Sequence, residues 1–399
     1  MKKKIIFMII NMNVGGTEKA LLNMINEFPK EKYDITILML EKFGGFLKFV
    51  PENVEIKYIN DYKRYKDLLK QPLQIMAIKS FKALNFVKGV KLLVLSLVTK
   101  LLKDRSLLYS YVLKDYRTEE TEYDVAVAYA GPMDFISYFV INKIKAKKKI
   151  QWIHFDVTQI GLNSKFVSRV YKDFDKIFVV SEEGKNKLLT MLPKLKAKVE
   201  TFLNMVSSRS IIEMAKEEDG FKDDFQGIRI LTVGRLTKEK GQDLVIPVLA
   251  KLKNEGYNVR WYCIGDGGAR REYEKLVEEH NVVNDFIFLG SNPNPYPFME
   301  QCDLYVQPSR HEGYCITLAE AKCFNKPIIS TNFTGISEHI IHNNTGIIVN
   351  FDEQEMFSAI KNLLDDNRLL KRLEDNLRNS VIKSSAAREM NKIYTIVNG

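Results

Sequence analysis

The chain has 399 residues, 45% hydrophobic and 28% charged, and its 60 Lys and Arg outnumber 50 Asp and Glu for a net charge of +10. That length suits two domains, each able to bury its own core, and the composition is that of a folded soluble protein. No apolar run reaches the roughly 18 residues that cross a bilayer as a helix, which excludes that class of membrane protein.

Taken in order, the chain opens on three lysines and the apolar run Ile5–Ile10. The run is short and ends in Asn-Met-Asn-Val-Gly-Gly without a small-residue cleavage site, so it reads as a buried first strand and not as a signal peptide. Leu21, Leu22 and Ile25 share one face of a helix expected over Thr17–Glu27, and strands follow at Tyr33–Leu40 and Val54–Ile59. Between Asp61 and Arg117, thirteen Lys and Arg stand against four Asp, a local balance of +9. Nearly all the excess charge belongs to this segment, which argues for an acidic surface as partner. From Leu73 to Leu113, helical spacing leaves a broad apolar face with lysines at its margins, the pattern of a helix lying on anionic lipid. Lys79, Lys82, Lys88 and Lys91 are the candidate lipid contacts. The competing reading is a helix pair covering the domain, its lysines merely solvated. Nucleic acid is not expected as a partner, because the segment is too apolar and carries no recognised module.

Strands at Tyr123–Tyr129, Ile150–His154 and Lys176–Val180 complete a first series. A second series has strands at Ile228–Val233, Asn258–Ile264, Phe286–Leu289, Leu304–Gln307, Pro327–Thr331 and Gly346–Val349. Helices are expected between them at Gln242–Glu255, Arg270–His280, Ile316–Phe324 and Ser337–His342, and over most of 353–380. Such alternation implies parallel sheets covered by helices. The boundary is expected in the acidic stretch from Ser207 to Gln226. This gives an α/β chain of two doubly wound, Rossmann-like domains facing across a cleft, 1–206 and 207–385, with a basic insertion at about 61–118 in the first. Cys263, Cys302, Cys315 and Cys323 have neither a close CxxC spacing nor a metal-type Cys/His spacing, which points to a reduced, cytosolic setting.

The chemistry concentrates in Ser309-Arg-His-Glu-Gly-Tyr-Cys-Ile316 and the helix that follows. Glu312 and Glu320 lie eight residues apart across a loop-to-helix junction after an apolar strand. There, backbone N–H groups receive phosphate and carboxylates receive sugar hydroxyls, so the junction reads as a site for a sugar nucleotide. Arg235 and Lys240 follow Gly234 at the end of the first strand of the second half. They either neutralise a diphosphate leaving group or are two surface cations flanking a turn. Gly15-Gly16 after the first strand and Ile264-Gly-Asp-Gly-Gly268 are glycine turns that admit close backbone approach. Asn292-Pro-Asn-Pro-Tyr296, with Asn294 at its centre, is either a rigid loop that reads a nucleobase or plain turn chemistry. His154 ends a strand, with Asp156 two residues on, and is read as a polar contact to a sugar. Cations stand where a metal-dependent transferase would carry an Asp-x-Asp motif, so no metal and no other cofactor is expected.

These motifs together resemble the retaining, GT-B-fold glycosyltransferases of family 4, particularly the bacterial enzymes of capsule and exopolysaccharide assembly. The resemblance rests on Gly15-Gly16-Thr17-Glu18-Lys19, Val233-Gly-Arg-Leu with Lys240-Gly241, Ile264-Gly-Asp-Gly, and above all Pro308-Ser-Arg-His-Glu-Gly-Tyr with Leu318-Ala-Glu-Ala. It implies that Arg235 and Lys240 hold the donor diphosphate, and that Glu312 contacts the transferred sugar with backbone N–H groups of Gly313, Tyr314, Cys315 and Ile316. Glu320 would bond the ribose, Gly16 would approach the diphosphate, and His154 would contact the sugar. The basic segment adds a lipid-linked saccharide acceptor and a peripheral place on the inner face of a bacterial plasma membrane, while a nucleotide-sugar donor, a UDP-sugar ahead of a guanine nucleotide, follows from the resemblance. So does a metal-independent front-face mechanism, and a final helix near 386–399 that packs back on the first domain. Relatives often carry Gly-Phe-Gly where this chain has Gly313-Tyr314-Cys315. The rival readings are a non-catalytic sugar-nucleotide-binding subunit of another transferase, a GT-B epimerase or a phosphorylase. Nothing in the residues assigns an oligomeric state.

Overall fold

The computed structural model describes residues 1–59, 62–116, 120–131, 133–380 and 385–399, which form two units. The ends expected for the basic insertion, at 61 and 117–118, lie outside these residues. The first unit comprises Met1–Asn13, Ile25–Phe202 and Asn391–Gly399; the second comprises Val14–Met24 and Leu203–Met390. Val14–Met24, expected in the first domain, thus groups with the second unit, and the chain changes unit at Phe202, just before the expected boundary.

The elements up to that point are β1 (Lys3–Ile9), α1 (Gly16–Asn26), β2 (Tyr33–Met39), β3 (Glu55–Tyr58), α2 (Tyr62–Lys70), α3 (Leu73–Lys82), α4 (Phe86–Leu102), α5 (Ser106–Val112), β4 (Tyr123–Ala128), α6 (Asp134–Lys143), β5 (Ala146–Ile153), α7 (Ser164–Val170), β6 (Lys176–Val179), α8 (Glu182–Met191) and β7 (Val199–Thr201). Seven strands form one parallel sheet in the order β3-β2-β1-β4-β5-β6-β7. Its core joins Ile6 and Met8 of β1 to Phe135, Ile136 and Phe139 of α6 and Leu92 of α4. Parallel strands need crossovers, and the apolar faces of these helices supply both the connection and the cover.

The basic segment folds as a helical hairpin. Leu84, two residues past the end of α3, adopts φ 57, and Asn85 caps α4 by accepting from Lys88 N–H at 3.1 Å. Gly89 lets the two helices meet closely, since a Cβ there would come within 2.5 Å of the Phe81 ring. One side of α4, with Gly89, Leu92 and Ser96, is buried. The opposite side is exposed: Phe86 60%, Val87 68%, Val90 53%, Val94 55%, Leu97 60% and Leu101 71%.

The second unit contains α9 (Ser208–Met214), β8 (Ile228–Val233), α10 (Gln242–Asn254), β9 (Val259–Ile264), α11 (Arg270–Glu279), β10 (Phe286–Gly290), α12 (Tyr296–Gln301), β11 (Leu304–Gln307), α13 (Ile316–Ala321), β12 (Ile328–Thr331), β13 (Ile347–Val349), α14 (Glu353–Asp365), α15 (Asn367–Asn379) and the start of α16 (Ser385–Asn398). Side chains alternate between two cores, as parallel strands buried on both faces require. Ile230, Leu304 and Val306 pack with Leu244 and Val248 of α10, whereas Leu231, Val233 and Tyr305 pack with Met299 and Leu318. A buried polar relay ties the central strands: Trp261 Nε1 donates to Thr232 Oγ1 at 3.0 Å, which donates to Val306 O at 2.8 Å. The helix expected over Ser337–His342 is instead one 3-10 turn, Ile336–Glu338. Gly335 enters it at φ 85, and the Ile341 N–H is drawn off to Thr345 Oγ1 at 2.9 Å, so no second turn forms. The last residues of α16 belong to the first unit, where Tyr394 stacks on Tyr33 at 5.6 Å and Lys392 Nζ donates to Thr201 O at 2.5 Å.

Candidate functional site

In the second sheet the order β10-β9-β8-β11-β12-β13 reverses direction between β8 and β11. Helices leave neighbouring strands toward opposite faces at such a point, and the carboxyl edge opens for a ligand. β8 and β11 pair in parallel through Ile230 with Leu304 and Leu231 with Tyr305. Their loops therefore leave side by side, one carrying Gly234, Arg235 and Lys240, the other Glu312 and Gly313. Two glycines bring the turns together. Gly241 holds φ 70 and a Cβ there would lie 2.0 Å from Pro308 O; Gly265 holds φ 146 and a Cβ there would lie 1.9 Å from Gly234 O.

Lys240 Nζ donates to both oxygens of Glu312, at 2.6 and 2.8 Å. Glu312 is 8% exposed and is anchored from below. Ser309 Oγ donates to Glu312 Oε1 at 2.7 Å, Gln307 Nε2 donates to Ser309 Oγ at 2.9 Å, and Tyr305 OH donates to Gln307 Oε1 at 2.8 Å. This relay from the core fixes the carboxylate in one place. Arg235 is exposed, and its charge draws down the Glu18 carboxyl that burial pushes up.

Glu320 sits on α13, buried, and accepts from Tyr296 OH at 2.8 Å. Burial pushes its pKa above the ordinary carboxylate value, while Lys19 and the tyrosine proton pull it back. Lys19 also lies over the Tyr296 ring, 5.3 Å from the centroid. Gly16 approaches α13 closely, since a Cβ there would lie 3.2 Å from Ile316 Cγ2. The glycine loop and the second carboxylate thus meet inside one unit.

Gly313 is buried and Tyr314 half-buried; the Tyr314 carbonyl accepts from the His339 ring, whose centroid lies 4.4 Å from the tyrosine's. Cys315 adopts φ 61 at the start of α13, a left-handed conformation that favours glycine. Its Sγ packs 3.5 Å from Thr317 Oγ1, and burial beside Glu312 keeps the thiol protonated. Asn294 is 3% exposed; its Nδ2 donates to Met214 O at 3.0 Å, and its Oδ1 has no partner among the described residues.

His154 lies in the first unit, after β5, and is described by itself. Burial pushes its pKa down to about 3, against one ring hydrogen bond to the Tyr129 backbone, so the ring is neutral. Nε2 has no partner among the described residues and is left as an acceptor. Asp156 is engaged elsewhere, with Lys187 Nζ at 2.9 Å and Thr158 Oγ1 at 2.6 Å. Lys79, Lys82, Lys88 and Lys91 are all exposed on the α3–α4 hairpin.

Local sequence did not single out Ser309, Gln307, Tyr296 or Lys19 as neighbours of the carboxylates, nor the Arg310–Asp243 ion pair. Arg310 Nη1 and Nη2 meet Asp243 at 2.8 and 2.5 Å, and Nη1 also donates to Lys238 O at 2.7 Å. The available signals were the placement of Ser309 and Arg310 within the Glu312 motif, of Lys19 in the glycine-loop motif and of Tyr296 at the end of the Asn294 loop.

Residues 215–380 match the family model described as Glycosyl transferases group 1. Over 212 residues the chain is 29% identical to the N-acetylgalactosamine-N,N'-diacetylbacillosaminyl-diphospho-undecaprenol 4-alpha-N-acetylgalactosaminyltransferase of Campylobacter jejuni, covering 53% of this chain and 56% of the relative. It is 28% identical over 222 residues to the capsular polysaccharide biosynthesis glycosyltransferase CapM of Staphylococcus aureus, covering 51% and 56%. The chain spans about half the length of these curated relatives. A TarM mutant of S. aureus, solved with fondaparinux, alpha-GlcNAc-glycerol and UDP, aligns over 100% of both chains with a TM-score of 0.71 at 15% identity. The fold is GT-B, with two Rossmann-like α/β domains, and the stretch similar to group 1 glycosyl transferases lies within the second unit.

Proposed function

We propose that the chain is a retaining glycosyltransferase of family 4. It would move a sugar from a UDP-sugar to a lipid-linked saccharide in cell-surface polysaccharide synthesis, with no metal. The observation that carries this reading is the Lys240–Glu312 pair beside exposed Arg235 at the switch point of the second sheet. A diphosphate entering there takes Lys240 as a counter-cation and adds the fork of Arg235. Glu312, still fixed by Ser309, then has free lone pairs for the hydroxyls of the transferred sugar. Glu320 accepts ribose hydroxyls in place of Tyr296 OH, and His154 Nε2 accepts from a sugar hydroxyl. The bond from the anomeric carbon to the diphosphate oxygen breaks while the acceptor oxygen bonds on the same face. The acceptor's proton passes to the departing diphosphate, whose growing charge Arg235 and Lys240 offset.

Uridine as the base is supported by the UDP in the TarM complex, and a lipid-linked acceptor by the name of the Campylobacter relative. Among the described residues no helix is long and apolar enough to cross a membrane. The α3–α4 hairpin, with its exposed apolar side and Lys79, Lys82, Lys88 and Lys91, would instead lie on the anionic inner face of the bacterial plasma membrane. The test is UDP release from a panel of UDP-sugars, with and without a polyprenyl-diphosphate saccharide in anionic vesicles, followed by linkage analysis. Release should depend on the acceptor and the product should keep the donor's anomeric configuration. Arg235→Ala and Lys240→Ala should each lower transfer by about 10²–10³-fold. The melting temperature should hold in Arg235→Ala, whose side chain is exposed, and fall in Lys240→Ala, which leaves the buried Glu312 carboxylate without its ammonium. Near-normal transfer in both variants would refute the reading.

A further inference from the structure

Lys240 and Glu312 meet although they are 72 residues apart, on two loops that share no element. Something must hold those loops in register, and the segment at Arg310 does so through both its main chain and the Arg310 side chain. Arg310 N–H donates to Glu239 O at 2.8 Å, and His311 N–H reaches the same oxygen at 3.3 Å. The Arg310 guanidinium crosses to the other loop, donating to Lys238 O at 2.7 Å and forking onto both Asp243 oxygens at 2.8 and 2.5 Å. Asp243 lies in the first turn of α10, three residues beyond Lys240. The Phe351 ring covers the guanidinium, with its centroid 3.9 Å away. Both charged side chains are about 30% exposed, so water screens the pair and its geometry matters more than its contribution to stability.

We infer that Arg310 and Asp243 are positioning residues: their fork locks the loop carrying Lys240 against the loop carrying Glu312 and so aims the ammonium at the donor diphosphate. Neither side chain needs to touch the donor. The inference rests on the reading of Lys240 as a diphosphate ligand. Planarity is the point of the device, because a guanidinium fixes two oxygens and a carbonyl at once and a lysine ammonium on the same stem does not.

The experiment is calorimetric titration of the full chain with UDP and, separately, with uridine, in Arg310→Ala, Arg310→Lys, Asp243→Asn, Lys240→Ala and the Lys240→Ala/Arg310→Ala pair. Arg310→Ala should weaken UDP by about tenfold and leave uridine unchanged, because only the phosphate contact is misaimed. Arg310→Lys and Asp243→Asn, which keep the volume of the site, should show the same selective loss. In the Lys240→Ala background the Arg310 substitution should change nothing further, as expected of two residues acting through one contact. Equal weakening of UDP and uridine, or the same loss with and without Lys240, overturns the positioning role. If Lys240→Ala itself binds UDP as the wild type does, the diphosphate reading fails first and the proposal falls with it.

Discussion

Replacing Val90 and Leu97 together by glutamate places two charges on the outer side of α4, where these residues are 53% and 60% exposed. Fully burying one Val or Leu contributes about 1.5–3 kcal/mol, so the exposed halves are worth roughly 1–1.5 kcal/mol each if they enter lipid. Losing both lowers membrane affinity by about 2–3 kcal/mol, a factor of roughly 30 to 150. The folded chain itself should be unharmed, because the buried side of α4 is formed by Gly89, Leu92 and Ser96. The assay is flotation with vesicles of neutral and of anionic lipid. Reversing Lys79, Lys82, Lys88 and Lys91 removes about 1 kcal/mol per charge near the surface, and only at low salt, since screening shortens to about 3 Å at 1 M. The lysine variant should therefore lose the salt-sensitive part of binding, and the glutamate variant the part that survives high salt. A double-glutamate protein that floats like the wild type at both salt concentrations would refute an apolar insertion. Equal binding of the wild type to neutral and anionic vesicles would refute the role of the lysines.

Three further outcomes follow from the buried groups. His154 and His339 are held neutral by burial, each with its pKa pushed down to about 3 from 6.5. The unfolded rings take up protons near 6.5 and the folded ones do not, so stability is full above that value and falls as pH drops toward 3, by roughly a few kcal/mol per ring. Thermal unfolding against pH should show this slope, and His154→Gln with His339→Gln should flatten it; an unchanged slope sinks the assignment. At Cys315, φ 61 makes valine a poor tenant: Cys315→Val should lower stability by about 2 kcal/mol and Cys315→Gly by much less, an order that equal melting temperatures would contradict. Tyr296→Phe removes the proton that stabilises the Glu320 carboxylate, whose pKa burial already raises. UDP affinity in that variant should rise with pH across the mildly acid range more steeply than in the wild type, and parallel curves would argue against Glu320 as the ribose acceptor.

The parts of this molecule that a reader of sequence finds are those set by neighbours along the chain. The inner strands such as β1, β4, β8 and β11 were visible as apolar runs, because a strand buried on two faces has no polar side to interrupt it, whereas the edge strand β3 showed as alternation and β7 was not visible. Arg235, Lys240, Glu312 and Glu320 stood out because glycine turns and strand ends mark carboxyl edges locally. Their partners did not. Tyr296 reaches Glu320 across 24 residues and Lys240 reaches Glu312 across 72, distances at which only the sheet order decides what meets. Helix ends failed where side chains compete for backbone donors, as Thr345 does beyond Glu338. The grouping of Val14–Met24 with the second unit was invisible for the same reason as Lys19: it depends on Gly16 approaching Ile316, a contact between remote segments.

The same long-range pairs explain why two carboxylates eight residues apart need not share a chemistry. Glu312 is held by an ammonium and a hydroxyl, both donors, so its lone pairs are already pointed. Glu320 is held by a phenol in a drier setting, where the tyrosine keeps its proton because burial and the carboxylate both resist its loss. On the proposed reading each glutamate is thus an acceptor matched to donors that the protein supplies and that substrate hydroxyls would replace. Exchange of one set of donors for another leaves the buried carboxylates satisfied throughout, which avoids the penalty of an unpaired charge. On the same proposed reading Lys240 is the partner set free by that exchange at Glu312, and together with Arg235 it would offset the two charges of a diphosphate diester. On this reasoning the ion pair seen between Lys240 and Glu312 and the proposed binding of phosphate by Lys240 are two states of one balance, and the Arg310–Asp243 fork is what keeps both within reach.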